Sequence, residues 1–238
     1  MTLSAEVLAL WDFGDPAGSR ARFEAAAEGE ADPRRRRVWL TQVARAHGLA
    51  DEFTDAHAVL DGLGEDGPQD GGRVALERGR VLRSSGDVDV SIPLFRKAFD
   101  DAMVAGERGL AADAAHMLAL VLPEEHEQWA GRGLEVAEGS DDPLAWAMSG
   151  ALLNNLGWKL ADEEHWAEAY ELFDRAVGAR EAVAAAVPSK ASAESLHVAR
   201  WCRARAARAL GRNEEALAEL RTLDQSDPYV QEEISLLS

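Results

Sequence analysis

Between residues 152 and 176 the chain reads LLNNLGWKLADEEHWAEAYELFDRA, and its apolar positions fall into two groups. Leu153, Leu156, Gly157 and Leu160 recur at steps of three and four, the period of one helical face, and Ala169, Phe173 and Ala176 do the same after a polar break, ADEEHW. The pattern predicts two helices joined by a turn, the second opening on acids that suit the positive end of its dipole. Gly157 and Ala169 are small enough to let the helices approach, and Phe173 fills the space beside them. The same offsets return along the chain. Residues 37–70 carry Leu40, Val43, Ala44, His47, Ala56, Leu60, Leu63 and Pro68; residues 72–105 carry Gly79, Leu82, Ser91, Phe95 and Ala98; residues 197–230 carry Ala204, Ala207, Gly211, Ala216, Leu220, Leu223 and Pro228. Residues 111–143 follow with Leu118, Val121, Ala130, Leu134 and Ala137, and residues 2–33 with Val7, Leu10, Gly14, Phe23 and Ala26 in a shortened first helix. The helix after Trp166 continues through AREAVAAAV to Pro188, long enough to protrude or to carry an interface. The Gly-rich stretch 61–72 has the composition of a linker but lies in register as a turn. The last segment, 229–238, places Val230, Ile234 and Leu237 at helical spacing, as a cap would.

Serial matches in one register resemble the tetratricopeptide repeat (TPR), a helix-turn-helix unit of 34 residues with the pattern W-x2-L-G-x2-Y, then A-x3-F, then P. The resemblance covers nearly the whole chain. It implies an all-α, right-handed solenoid of about six repeats, at 2–33, 37–70, 72–105, 111–143, 150–188 and 197–230, with a C-terminal capping helix, forming one domain over 1–238.

Composition adds limits. Apolar residues make up 47% of the 238, while Ala, Leu, Glu and Arg are abundant, which favours helix over sheet. A formal charge of -18 disfavours nucleic acid and anionic membrane as general partners. The RRRR run at 34–37 follows EGEAD and suits a solvated helix start; the basic stretch 199–212 leaves an RNA-binding reading open. Cys202 is the single cysteine, so no intrachain disulfide is expected. The N-terminal segment lacks the basic and apolar runs of a signal peptide, and a cytoplasmic location is expected. Arg in excess of Lys with abundant Ala suggests a GC-rich bacterial genome.

No phosphate-binding loop, G-x-G-x-x-G, H-E-x-x-H or G-x-S-x-G is present. His197 lies five residues before Cys202, a poor spacing for a base and its nucleophile, and His126 and His165 sit in acidic helix starts that need converging ligands to hold a metal. The expectation is therefore a non-enzymatic protein with no cofactor and no metal.

In the resembled family the first helices line a concave groove, mainly through places two, five, nine and twelve of each repeat. Here those places hold Thr41 and Arg45; Arg73, Leu76, Arg80 and Arg83; Ala112, Ala115, Ala119 and Leu122; Asn154 and Trp158; and Trp201, Arg205 and Arg208. None is acidic, although acids outnumber bases 43 to 25, and the acids are expected mostly on second helices and turns. The resemblance implies a basic groove that receives an acidic or carboxylate-terminated peptide, through arginine forks, tryptophan anchors and a backbone contact to Asn154. Against it stands a plainer reading in which the arginines pair with glutamates of adjacent helices and the tryptophans pack between repeats. A regulatory sensor of a small peptide or metabolite, an enzyme accessory or hydrolase with an unrecognised site, and a self-associating scaffold using helix 166–187 also stay open.

Overall fold

The structure, a computed structural model, describes residues 2–64, 67, 70 and 72–237. These form thirteen α-helices and a 3-10 turn at Pro123–Glu125, with no strand among the described residues. Backbone packing divides the chain into two compact units, Met1–Met148 and Ser149–Ser238. The first holds α1 (Leu3–Leu10), α2 (Pro16–Glu28), α3 (Pro33–Leu49), α4 (Phe53–Leu63), α5 (Arg73–Ser84), α6 (Val88–Ala105), α7 (Arg108–Val121), α8 (His126–Ala137) and the start of α9 (Pro143–Asp162). The second holds the rest of α9, then α10 (Trp166–Ala186), α11 (Lys190–Ala209), α12 (Asn213–Leu220) and α13 (Pro228–Ser235).

Local chemistry starts these helices. Four Asp-Pro pairs, at 15–16, 32–33, 142–143 and 227–228, each open one. The Asp carboxylate accepts from the first free backbone N–H groups, at Gly18, Arg34, Leu144 and Tyr229, and Pro supplies the fixed φ of the first helical position. A shared turn then joins four of the helix pairs. Asp51, Gly86, Glu164 and Gly211 take positive φ, each two residues before its second helix begins. In all four the following N–H reaches back to a carbonyl five residues earlier: Glu52 to His47, Asp87 to Leu82, His165 to Leu160 and Arg212 to Ala207. This backbone closure satisfies carbonyls that the first helix leaves open.

Packing repeats as well. A Cβ built on Gly157 would lie 2.6 Å from the Phe173 ring, and one on Gly79 would lie 2.6 Å from Phe95. Ala44 with Leu60, and Ala204 with Leu220, are the corresponding residues of two other pairs, all fully buried in shared clusters. A smaller residue on the first helix thus meets a larger one on the second, and the filled volume stays roughly constant. Successive helices pack on one another, and in the first unit α3, α5 and α7 also touch, so first helices form a continuous row.

The structure corrects several expectations. α9 starts at Pro143 rather than 150 and α11 at Lys190 rather than 197. The long α10 does not protrude: Val183 is buried, as is Val187 at its C-terminal cap, whose carbonyl accepts from Ser192 Oγ at 2.9 Å, and α11 packs along the helix. The two compact units divide within α9, not at the Gly-rich stretch. Residues 61–63 of that stretch end α4 and residue 72 precedes α5; the expected Pro68 lies outside the described residues.

The Gly–Phe crossing predicts a compensated pair of substitutions. Gly157→Ala forces a methyl against a ring that cannot withdraw, and the overpacking of about 1–3 kcal/mol outweighs a helix-propensity gain of at most about 1 kcal/mol. Adding Phe173→Leu recreates the Ala–Leu pairing, so urea denaturation of both single variants and the double variant should give a favourable coupling energy; strict additivity would refute the crossing as the source of the loss.

Candidate functional site

The row α3–α5–α7 brings Arg45, Arg80 and Arg83 to one place. Arg45 reaches from α3, where its guanidinium lies 5.2 Å from the Trp11 ring centre and 5.4 Å from that of Phe13. Trp11 is itself fixed by a 2.9 Å hydrogen bond from its indole N–H to Gln42. Arg80 projects from α5 and donates to Glu77 on the same helix at 2.5 Å and to Asp113 on α7. All three of these side chains are largely buried. Burial opposes the charge on Asp113, but Arg80 and Arg45 attract it and Arg80 donates to it, so the carboxyl is held below its ordinary range. Arg80 is likewise held above the usual arginine range, because Asp113 and Glu77 outweigh its desolvation.

Arg45 is different. Burial lowers its pKa and the Arg80 cation acts in the same direction, which Glu77 and Asp113 offset only in part. No hydrogen bond or ion pair joins Arg45 to another described residue, and Glu77 Oε2 is buried without a partner. Beside these groups is a cavity of about 140 Å3, lined by all three arginines with Leu49, Val81 and Met117. Arg83 at its rim is exposed and unpaired among the described residues. The cavity wall therefore carries cations that its two buried acids do not fully neutralise.

The remaining expected groove residues are mostly engaged within the chain. Arg73 donates to Glu107 at 3.0 Å. In the second unit Arg208 pairs with Glu233 at 2.5 Å, and Arg205 lies 3.4 Å from the same carboxylate. Trp158 packs on Phe173 and Trp201, and Trp201 packs on Tyr229 and donates to its carbonyl at 3.2 Å. Arg205 covers both tryptophans at 5.4 and 5.6 Å, with its Nε buried and unpartnered; Asn154 Oδ1 is likewise buried without a partner. Thr41, Leu76, Ala112, Ala115 and Ala119 are buried, where first helices pack directly on one another. The acids that engage the arginines are not confined to second helices and turns: Glu77 and Asp113 stand on first helices, and Glu233 on α13.

The two basic clusters are also partly occupied. Arg35 pairs with Glu30 and Glu6, and Arg37 donates to the Leu63 carbonyl. Arg200 pairs with Glu181, and Arg203 with Asp174 and Glu219. His126 faces the Ala119 carbonyl, His165 lies 3.6 Å from Glu163, and His197 bonds Asp227 at 2.8 Å. The sequence reading missed His47, Glu52 and Asp55, whose potential metal-ligand atoms lie within 4.8 Å of one another. Arg20 already bonds both Glu52 and His47, so a guanidinium holds the place a cation would take. His47 and Glu52 face each other across a turn, a contact set by the positive φ of Asp51 rather than by any motif spacing.

Two outcomes follow from the buried groups. Asp113→Asn leaves Arg80 with one carboxylate and should destabilise the fold by about 3–5 kcal/mol in denaturant titration. Because the folded carboxyl is depressed, its contribution is present above about pH 4 and lost as pH falls through the folded value. The wild type should lose this contribution on acidification while the variant should not. Cys202 is 1% exposed, and burial pushes its thiol up to about 12. A disulfide reagent at pH 8 should leave it unmodified in the native protein and modify it fully in denaturant.

No protein-family model matches the chain, and neither does any curated protein. Among solved structures, the chain is similar to one titled "Crystal structure of BtubC (BKLC) from P. vanneervenii", with a TM-score of 0.60 and 15% identity. The match covers 94% of this chain and 90% of that one, and at this identity it shows a shared all-helical fold.

Proposed function

We propose that the chain is a tetratricopeptide-like protein-binding module without catalytic activity, and that its row of first helices receives an acidic or carboxylate-terminated peptide. One observation carries this reading: the cavity on α3–α5–α7 gathers three arginines, of which Arg45 is half-buried without an acid partner and Arg83 is exposed and unpaired. A carboxylate entering there would restore to Arg45 the charge partner that burial denies it, and a hydrogen bond to a charged group contributes about 1.5–3 kcal/mol. Leu49, Val81 and Met117 offer an apolar wall for the adjoining side chain. The Gly–Phe crossings support the repeat assignment, since both fall at equivalent places of separate helix pairs.

In this reading Arg73, Arg80 and Arg208 shape the surface and hold the helices in place. Arg45 and Arg83 meet the ligand, and Arg205 with Trp158, Trp201 and Asn154 forms a second candidate contact within the second unit. No helix among the described residues is long and apolar enough to cross a membrane, and the proposed setting is the cytoplasm.

The test is a bead-displayed library of nine-residue peptides, with selected binders resynthesised bearing free or amidated C-termini and measured by fluorescence anisotropy. Acidic sequences should be enriched, and Arg83→Glu should weaken binding about tenfold, or about 1.4 kcal/mol, with an unchanged circular dichroism spectrum. Arg45→Met should weaken it at least as much. Binding that is unaffected by both variants would remove the site from this cavity.

A further inference from the structure

A second cavity, of about 380 Å3, opens between α6 and α8 and reaches the first residue of α7, Arg108. Its apolar lining includes Phe99, Met103 and Val136, and its charged lining is Arg108, Arg132 and Glu135. The volume lies in the range of about 300–1,000 Å3 that small-molecule sites occupy, and the mixture of apolar wall with a few polar groups is their usual composition.

The charges do not balance. Two guanidinium groups lie over the Trp129 indole, Arg96 at 5.2 Å and Arg132 at 4.3 Å. Arg96 has an acid: Glu125 lies 3.2 Å from it and also accepts from the Trp129 N–H at 2.8 Å. Arg132 has none. Its guanidinium carbon lies over both rings, 4.6 Å from the Phe99 centre and 4.3 Å from that of Trp129, and it makes no hydrogen bond or ion pair with any described residue. The two ring contacts hold its guanidinium in place without using its N–H groups. Arg108 donates to the Val136 and Glu138 carbonyls, at 2.7 and 2.6 Å, which orients it but leaves its charge uncompensated. With Glu135 counted against these two cations, the lining carries one excess positive charge in a chain whose formal charge is -18.

We propose that this cavity binds a small amphipathic monocarboxylate, an aliphatic or aromatic acid whose body lies against Phe99, Met103 and Val136 and whose carboxylate meets the edge of Arg132. A single negative charge matches the excess; a dianion would meet repulsion from Glu135. The carboxylate suits the planar fork of arginine, and the apolar body replaces water over Met103, which is 49% exposed. The site shares no residue with the arginine cavity of the first helices, so it stands whether or not that cavity binds a peptide.

The probe is octanoate, with 1-octanol as its uncharged counterpart, titrated into the whole protein by calorimetry. The expected result is saturable, one-to-one octanoate binding, at least tenfold tighter than octanol. Arg132→Gln should erase that difference by weakening octanoate alone. Glu135→Gln, which alters an exposed side chain with no ion pair, should tighten octanoate several-fold and keeps the proposal testable if Arg132→Gln disturbs the fold. Equal affinity for octanoate and octanol, no saturable binding to the folded wild type, or indifference of octanoate to both variants would overturn it.

Discussion

Where α9 crosses α10, the absent side chain of Gly157 makes room for the Phe173 ring; where α5 crosses α6, Gly79 does the same for Phe95. Each approach is possible because the turn before the second helix is closed by a backbone hydrogen bond around a residue of positive φ, which returns the chain at a fixed angle. The constraint is mutual. A larger residue at the glycine would spread the helices, and a turn without the left-handed residue would aim the second helix elsewhere. Gly86 and Gly211 adopt this conformation freely, whereas Asp51 and Glu164 hold it against a steric cost of about 1–2 kcal/mol. The α7–α8 pair closes instead through its 3-10 turn and α1–α2 without a residue of positive φ, so the array tolerates two different connections.

Stacking of one pair on the next raises a second problem, because a chain with 43 acids and 25 bases must bury some of both. In the first unit Arg80 is set between Glu77 and Asp113, joining α5 to α7. In the second unit Glu233, 2% exposed, takes Arg208 and lies near Arg205. Such pairs bind neighbouring helices together and at the same time remove most of these arginines from the solvent. Among the described residues no acid pairs with Arg45, Arg83 or Arg132, and each of the three lines a cavity. Charge left uncompensated beside a cavity is a narrower criterion than a basic surface.

Helix pairing was legible from the spacing of small and large residues, because that spacing reflects a local geometry of about thirty residues. The four Asp-Pro starts were legible too, as capping chemistry, although a reading of apolar periodicity passes over them. The early starts of α9 and α11 were not visible in the repeat register, since apolar spacing continues through any helix and does not mark where packing begins. The candidate site was only half legible. Apolar and basic places on the first helices were located, but whether a given arginine is free depends on acids that come from other helices: Glu107 for Arg73, Asp113 for Arg80 and Glu233 for Arg208.

By itself the sequence determined that this chain is all helical, that its helices come in pairs, and which small residue faces which large one, because these follow from periods and offsets within a short segment. The tertiary structure alone decided the division into two compact units, the burial of Thr41, Leu76 and Ala112, and the choice of which arginines remain without a partner. The physical reason is range. Backbone hydrogen bonds and helix-face packing act between residues near in sequence, whereas charge compensation and desolvation sum over every group that folding brings within a few ångströms, and no local pattern records that sum.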